Sequence, residues 1–149
     1  MPVLKKYLTE EMVQFKEEAK NWEEAIQLAS EPLLKNHLIE KEYIDTMIEN
    51  VKNLGPYIVL LPKFAMPHAR PENGVNQLGL SLLILENGVQ FDGGKFANVF
   101  LVLAAPDKES HLTLLSELST VLSSQEKVDA LASAKNYQEI FVILEEEAK

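Results

Sequence analysis

Apolar side chains at helical spacing predict two helices in the first third of the chain. Asn21 followed by Glu24 is a capping-box signature, and the residues behind it repeat every three to four positions. Pro32 lies inside this pattern and predicts a kink or a break there. A second helical pattern covers Tyr43–Leu54, and Gly55 is placed to end it.

The middle of the chain changes to short apolar runs. These runs, which are bounded by Gly, Pro or Asn, are Tyr57–Leu61, Leu78–Leu85 and Val99–Ala104. Since both faces of each run are apolar, they are typical of strands in a sheet that is covered on both sides. Shorter strands are predicted at Met12–Phe15 and Val89–Phe91, with turns at Asn87-Gly88 and Gly93-Gly94.

Helical spacing returns in the last third. Ser110 is the predicted N-cap of a helix whose apolar positions are Leu112, Leu115, Leu118 and Leu122. A shorter helix is predicted at Gln125–Ala134, and Asn136 with Glu139 forms a capping pair before a C-terminal helix. We therefore expect one α/β domain over residues 1–149, in which a small mixed sheet is flanked by helices on both faces.

Composition narrows the classes of function. The chain has 14 Lys and Arg against 23 Asp and Glu, a formal net charge of −9, whereas nucleic-acid binding needs a basic surface. It contains no cysteine, which excludes disulfides, thiolate zinc sites and cysteine nucleophiles. No apolar run approaches the ~18 residues of a membrane span. The N-terminal residues lack the apolar segment of a secretory signal, so we expect a cytoplasmic protein.

The remaining candidates for chemistry are three histidines. His37 follows the first predicted helix, where an imidazole often complements the last carbonyl groups, so a structural role is favoured. His68 lies between Pro67 and Pro71, which restrict the backbone around it. A histidine in this setting is either a polar residue that closes a turn or a reactive group at a strand end. The spacing leaves both interpretations open.

His111 would occupy the first turn of the helix that Ser110 caps. Unpaired N–H groups at a helix start attract anions, although an ordinary surface role fits the spacing equally well. With His68, it suggests two imidazoles that converge on one anionic group. A phosphoryl group suits this arrangement, because a neutral imidazole is nucleophilic near pH 7. His111, the N–H groups at its helix start and Arg70 would donate to the phosphoryl oxygens.

Two other chemistries were weighed against phosphoryl transfer. A metal pair would need a third histidine or a carboxylate at ligand spacing, and none is present, so neither a metal nor a cofactor is predicted. A two-histidine hydrolase of phosphodiesters ranks last, because the negative charge disfavours a polyanionic substrate.

The segment around His68 resembles a known family motif. Ala65-Met66-Pro67-His68-Ala69 is similar to the phosphohistidine motif of bacterial phosphotransferase-system enzyme IIA components of the mannitol–fructose superfamily. Three further stretches resemble the L-ascorbate branch of that superfamily, and they are Gly55–Val59, Arg70–Val75 and Ser110–Leu112. The likeness extends over essentially the whole chain.

This resemblance implies a specific activity. Members accept a phosphoryl group on Nε2 of the histidine at the His68 position from the carrier protein HPr. They pass it to the cysteine of a IIB component, which phosphorylates the sugar entering through the membrane component IIC. The histidine at the His111 position supports the phosphoryl group, and the family fold is a mixed sheet between helices. A chain without cysteine cannot be the IIB partner.

The chain departs from the family pattern at two places. Mannitol and fructose members carry an arginine where this chain has Lys52, and the ascorbate branch also lacks it. Lysine keeps the positive charge but cannot form the bidentate hydrogen bonds that a guanidinium makes to phosphate. Lys52 is therefore a weaker candidate for a phosphate contact than Arg70 or Ser110. Lys63 stands where the motif usually has glycine.

Three expectations concern the context of the activity. A transport component would support uptake of L-ascorbate or a related sugar, whereas a regulatory module would signal to another protein by the phosphorylation state of His68. The apolar residues on the outer helices permit a homodimer. The negative charge also suggests an acidic or apolar docking face for a carrier with basic residues around its own histidine.

Overall fold

A computed structural model describes residues 3–121 and 123–147, and this part of the chain contains six α-helices and five β-strands. The helices are α1 (Val3–Tyr7), α2 (Trp22–Lys35), α3 (Lys41–Leu54), α4 (Lys108–Val121), α5 (Gln125–Ser133) and α6 (Tyr137–Glu147). The strands are β1 (Val13–Lys16), β2 (Val59–Leu61), β3 (Lys63–Ala65), β4 (Gly79–Gln90) and β5 (Phe96–Ala104). No helix in the described ranges is long and apolar enough to span a membrane.

The strands form one mixed sheet in the order β1-β4-β5-β3-β2. The β1–β4 and β3–β5 pairs are parallel, and the β4–β5 and β2–β3 pairs are antiparallel. Alternate residues of β4 face opposite layers: Leu83 and Leu85 pack with α2 and α3, whereas Leu80 and Leu82 pack with the other four helices. The predicted mixed sheet with helices on both faces is confirmed.

The start of α2 follows the sequence prediction, but its end does not. Asn21 Oδ1 accepts a hydrogen bond from the Glu24 N–H at 2.9 Å, as the capping signature predicts. Pro32 predicts a kink or a break, and the break is wrong, since α2 continues to Lys35. Pro32 has no N–H for the Leu28 carbonyl one turn earlier. The side chain of Gln14 replaces that donor, with Nε2 2.6 Å from Leu28 O.

The three glycine signals have different outcomes. Gly55 ends α3 as predicted, with a φ of +86° and its N–H bonded to Val51 O at 2.8 Å. The predicted turn at Asn87-Gly88 is wrong, because β4 runs through it with a register shift between Ile84 and Val89. The chain instead reverses at the second predicted turn, in a short 3₁₀ helix at Asp92–Gly94.

The start of α4 also differs from the prediction. Asp107 caps the helix, because its carboxylate accepts the Ser110 N–H at 2.7 Å, so Ser110 lies inside the first turn. The buried face also differs: Leu114 is fully buried, whereas the predicted Leu112 is 55% exposed. Leu118 is buried as predicted, and Leu122 lies outside the described residues.

The last two helices follow their predicted positions. The Ser124 side chain accepts the Lys127 N–H at the start of α5. Asn136 accepts the Glu139 N–H at 3.0 Å beside the start of α6. Two short elements, α1 and β3, were not predicted, and β3 matters most because it leads directly into His68.

Candidate functional site

His68 lies just beyond the end of β3, where the backbone is fixed on both sides. The Met66 N–H donates to Ile58 O at 2.9 Å, and the Leu103 N–H donates to Pro67 O at 3.1 Å. These bonds extend the sheet pairing beyond Ala65. They connect the segment before His68 to β5 on one side and to Ile58, the residue that precedes β2, on the other. The His68 side chain is half-buried and lines an open cleft.

One ring nitrogen of His68 has a defined partner. Nδ1 lies 2.7 Å from the backbone oxygen of Met66. A carbonyl oxygen can only accept a hydrogen bond, so this contact requires the proton on Nδ1. Nε2 then carries the free lone pair, which is the form that a nucleophilic imidazole needs.

Two aromatic rings flank the imidazole of His68. The His111 ring lies 5.7 Å away between centroids, at an interplanar angle of 64°. The Tyr57 ring lies 5.8 Å away, nearly edge-on at 81°. The Tyr57 hydroxyl contacts His68 O at 3.5 Å and shares a hydrogen bond with the Asn50 side chain. The structure thus brings together the two histidines that the sequence analysis singled out.

The surroundings of His111 favour its neutral form. Burial lowers the pKa of His111, and the nearby imidazole of His68 lowers it further. The carboxylate of Asp107 accepts hydrogen bonds from the Ser110 N–H, the Ser110 hydroxyl and the Glu109 N–H, and these bonds lower the pKa of Asp107. The N–H groups expected to face an anion are therefore partly used by Asp107, and Ser110 does not line the cleft.

The cleft itself has a volume of about 670 Å³. The charges that line the cleft cancel: Arg70 and Lys108 are positive, and Glu72 and Asp107 are negative. Its rim is partly apolar, since Leu54 is 70% exposed. Within residues 3–121 and 123–147, no three histidine or carboxylate side chains are close enough to hold a metal ion.

Comparison with known proteins places the chain in a family. The family described as "Phosphoenolpyruvate-dependent sugar phosphotransferase system, EIIA 2" matches residues 6–147. The chain belongs to this family. A mannitol-specific cryptic phosphotransferase enzyme IIA component of Escherichia coli is 36% identical over 142 residues, which cover 95% of this chain and 97% of that protein.

Other members of the EIIA family agree with this assignment. The ascorbate-specific EIIA component of E. coli is 28% identical over 136 residues, covering 89% of this chain and 88% of that protein. A solution structure of the E. coli mannitol-specific cryptic enzyme IIA has a TM-score of 0.89 and 35% identity, covering 97% of this chain and 98% of that one. A complex of E. coli mannitol enzyme IIA with phosphorylated enzyme IIB has a TM-score of 0.79 and 25% identity, covering 92% and 96% of the two chains.

Lys52, unlike Arg70, does not line the cleft of this EIIA chain. Its ammonium lies 3.2 Å from a carboxylate oxygen of Glu23 on α2. The residues of α3 that line the cleft are Asn50 and Leu54, each two positions from Lys52. Because residues two positions apart on a helix point about 200° apart, Lys52 points away from the cleft. Arg70 is exposed at the cleft, and no hydrogen bond or ion pair to its guanidinium occurs within the described residues.

The structure explains why the EIIA motif usually has glycine at the position of Lys63. Lys63 adopts a φ of +76° in the tight turn between β2 and β3. Side chains with a Cβ are disfavoured in this left-handed region, whereas glycine enters it freely. Lys63 keeps this conformation in the turn, where its ammonium pairs with Asp129 at 3.4 Å.

Sequence reasoning missed two tyrosines at the candidate site. The sequence places Tyr57 in an apolar strand and in the Gly55–Val59 stretch of the resemblance, and Tyr43 on the apolar face of a helix, with no role at the site for either. The Tyr43 side chain is 1% exposed, and burial raises its pKa to about 12. A tyrosine inside an apolar helix face signals a buried hydroxyl that needs a partner, but the sequence does not say which partner.

Proposed function

We propose that this EIIA chain carries a phosphoryl group on Nε2 of His68. The observation that carries the proposal is the 2.7 Å contact of His68 Nδ1 with Met66 O, which leaves Nε2 free beside His111. In the transfer step, the lone pair of Nε2 attacks phosphorus and forms the new N–P bond. The N–P bond to the histidine of phosphorylated HPr breaks, and its electron pair returns to that nitrogen. A metal ion takes no part in this scheme.

The neighbours of His68 have separate roles in this proposal. Neutral His111 donates a hydrogen bond to a phosphoryl oxygen, in keeping with the lowered pKa of its imidazole. The guanidinium of Arg70, which lines the same cleft, binds the phosphoryl oxygens and offsets their charge. Ser110 and Lys52 are left out of the pocket, because their polar groups face Asp107 and Glu23.

The partner proteins follow from the same chemistry. The donor is phospho-HPr, and the acceptor is the cysteine of a IIB component that works with a membrane-embedded IIC component. The complex of the related mannitol enzyme IIA with phosphorylated IIB supports the IIB partner. The exposed Leu54 and Tyr57 at the rim provide apolar surface that a partner covers during transfer. The carrier works in the cytoplasm as a single domain over residues 1–149.

Two observations bear on the sugar. The stretches that flank His68 resemble the ascorbate branch, which favours L-ascorbate or a related substrate. Overall identity is higher to the mannitol-named relative, at 36% against 28%. Because IIA delivers its phosphoryl group to IIB, the choice is decided by transfer to mannitol-type and ascorbate-type IIB proteins side by side, with faster discharge to the ascorbate type expected.

The central test is phosphorylation in a reconstituted system. The chain is incubated with phosphoenolpyruvate, enzyme I and HPr, and an acid-labile phosphohistidine is expected. His68→Ala should abolish the label, and His111→Ala should slow its formation or discharge. His37→Ala is the matched control, because that imidazole is exposed at the end of α2 and away from the cleft. Equal labelling of wild type and His68→Ala would overturn the proposal.

A further inference from the structure

The buried hydroxyl of Tyr43 joins two backbone segments that are distant in the sequence. It donates a hydrogen bond to Leu103 O at 2.7 Å and accepts one from the Ala69 N–H at 3.0 Å. Ala69 O is a further neighbour, at 3.3 Å. Tyr43 itself is held by α3, whose buried face packs into the sheet. The hydroxyl is therefore a fixed point to which both segments are tied.

Each of these segments leads to one of the two histidines. Ala69 follows His68 directly. Leu103 lies at the end of β5, which continues through a short connection to the Asp107 cap and so to His111 on α4. Leu103 also donates its N–H to Pro67 O at 3.1 Å, so the residues on both sides of His68 are tied to the β5 end.

We propose that the Tyr43 hydroxyl is a positioning group that sets the spacing between His68 and His111. The proposal rests on the phosphoryl-carrier function above. Tyr43 is 1% exposed, so its hydroxyl acts through the backbone and does not touch the phosphoryl group. The hydroxyl, and not the ring, is what matters, because a phenylalanine ring fills the same space and leaves the Ala69 N–H and Leu103 O without this partner. A displacement of the reacting groups by about 1 Å can slow a reaction by about a hundredfold.

The test compares Tyr43→Phe with a matched control, Tyr137→Phe. The Tyr137 hydroxyl also donates to a backbone carbonyl, Leu8 O at 2.9 Å, but it lies on α6 at the opposite face of the sheet. Both variants lose a tyrosine hydroxyl: Tyr137→Phe loses its one hydrogen bond, and Tyr43→Phe loses the two that tie the histidine segments together. Their folding is checked by thermal unfolding, and activity is measured well below both midpoints.

Two readouts separate positioning from a general loss of stability. The first is the rate of His68 phosphorylation by phospho-HPr, which we expect to fall about tenfold or more in Tyr43→Phe and to stay at the wild-type value in Tyr137→Phe. The second is the NMR titration of the His111 ring. Burial and His68 together lower the pKa of His111. If the distance between His68 and His111 increases in Tyr43→Phe, the titration midpoint of His111 should rise, and it should not change in Tyr137→Phe. A folded Tyr43→Phe with the wild-type rate and midpoint would overturn the proposal.

A measurement on the wild-type chain covers the case in which Tyr43→Phe does not fold. The Ala69 amide should exchange its hydrogen slowly although it lies in a loop, because Tyr43 accepts it. The neighbouring Arg70 amide has no acceptor within the described residues and serves as the reference. Equal exchange rates would refute the tie. If wild type is not phosphorylated on His68, the proposed function fails, while the exchange and titration data still decide whether Tyr43 sets the spacing.

Discussion

The Nδ1 atom of His68 lies 2.7 Å from the backbone oxygen of Met66, two residues earlier in the chain. This local contact fixes the tautomer, because the carbonyl accepts a proton-bearing nitrogen only. It also fixes the ring orientation, so that Nε2 is left for the cleft shared with His111. The proline between the two residues restricts the backbone that makes the contact. The backbone at the end of β3 thus fixes both the tautomer and the orientation of the candidate nucleophile.

The lowered pKa of His111 predicts how stability depends on pH. The neutral form is favoured in the folded state, so the unfolded chain binds the proton more readily as pH falls below about 6.5. The free energy of unfolding of wild type should therefore fall between pH 7.5 and pH 5.5 by more than that of His111→Gln. Urea unfolding at both pH values measures this, with His37→Gln as the control for loss of an exposed imidazole. Parallel pH dependence in wild type and His111→Gln would contradict it.

Arg70 and Lys52 should differ in their effect on phosphorylation. Arg70→Met removes the guanidinium from the cleft, and a charge-assisted hydrogen bond is worth about 1.5–3 kcal/mol. Since 1.4 kcal/mol corresponds to about a tenfold change in rate, the phosphorylation rate should fall at least tenfold. Lys52→Met breaks only the pair with Glu23 and should keep the wild-type rate. Rapid-quench kinetics with phospho-HPr measure both phosphorylation rates. A slower rate in Lys52→Met than in Arg70→Met would refute the assignment of Arg70 as the phosphate contact.

Because of the backbone conformation of Lys63, a glycine variant at this position should be more stable than an alanine variant, which is the reverse of the usual order. Both substitutions lose the pair with Asp129, but only alanine keeps a Cβ at a φ of +76°. We expect Lys63→Gly to be more stable than Lys63→Ala by about 1 kcal/mol. At Lys95, where φ is −73°, the order should be the ordinary one, with glycine less stable. Chemical unfolding of the four variants provides the comparison, and a less stable Lys63→Gly would show that the turn is unstrained.

Gly88 should tolerate alanine much less well than Gly93. Both have a positive φ, but a Cβ at Gly88 would collide with the Phe96 ring and lie 2.9 Å from Ala97 O, whereas nothing lies within 4 Å of a Cβ at Gly93. Backbone strain alone costs about 1 kcal/mol, and overpacking adds about 1–3 kcal/mol at Gly88. Gly88→Ala should therefore lose more unfolding free energy than Gly93→Ala in urea titrations. Similar losses would mean that β4 adjusts freely at its register shift between Ile84 and Val89.

Local signals were sufficient for much of the fold. The capping residue Asn21 and the terminating Gly55 act through hydrogen bonds within a few residues, so the start of α2 and the end of α3 follow from the sequence. The buried strands β4 and β5 are recognisable because both of their faces are apolar. Residues near an N-cap are harder to assign. Asp107 and Ser110 are both good caps, and the predicted choice was the wrong one.

The elements that were missed are those whose identity depends on packing. β3 has only three residues, too few for a period, and it is a strand because β2 and β5 pair with it. In α4, the leucines allow two overlapping helical faces. Leu114 is buried and Leu112 is exposed because of how the helix packs against the sheet, which its own sequence does not specify.

For the candidate site, the sequence by itself determined the chemical groups: an imidazole at His68 with prolines around it, a second histidine near a helix start, and a family motif. Only the tertiary structure decided which groups meet. It placed His111 beside His68, turned Lys52 toward Glu23, and put the Tyr43 hydroxyl between Ala69 and Leu103. The physical reason is that caps and turns act over a few bonds, whereas the direction of a side chain across the cleft depends on how helices and sheet pack together.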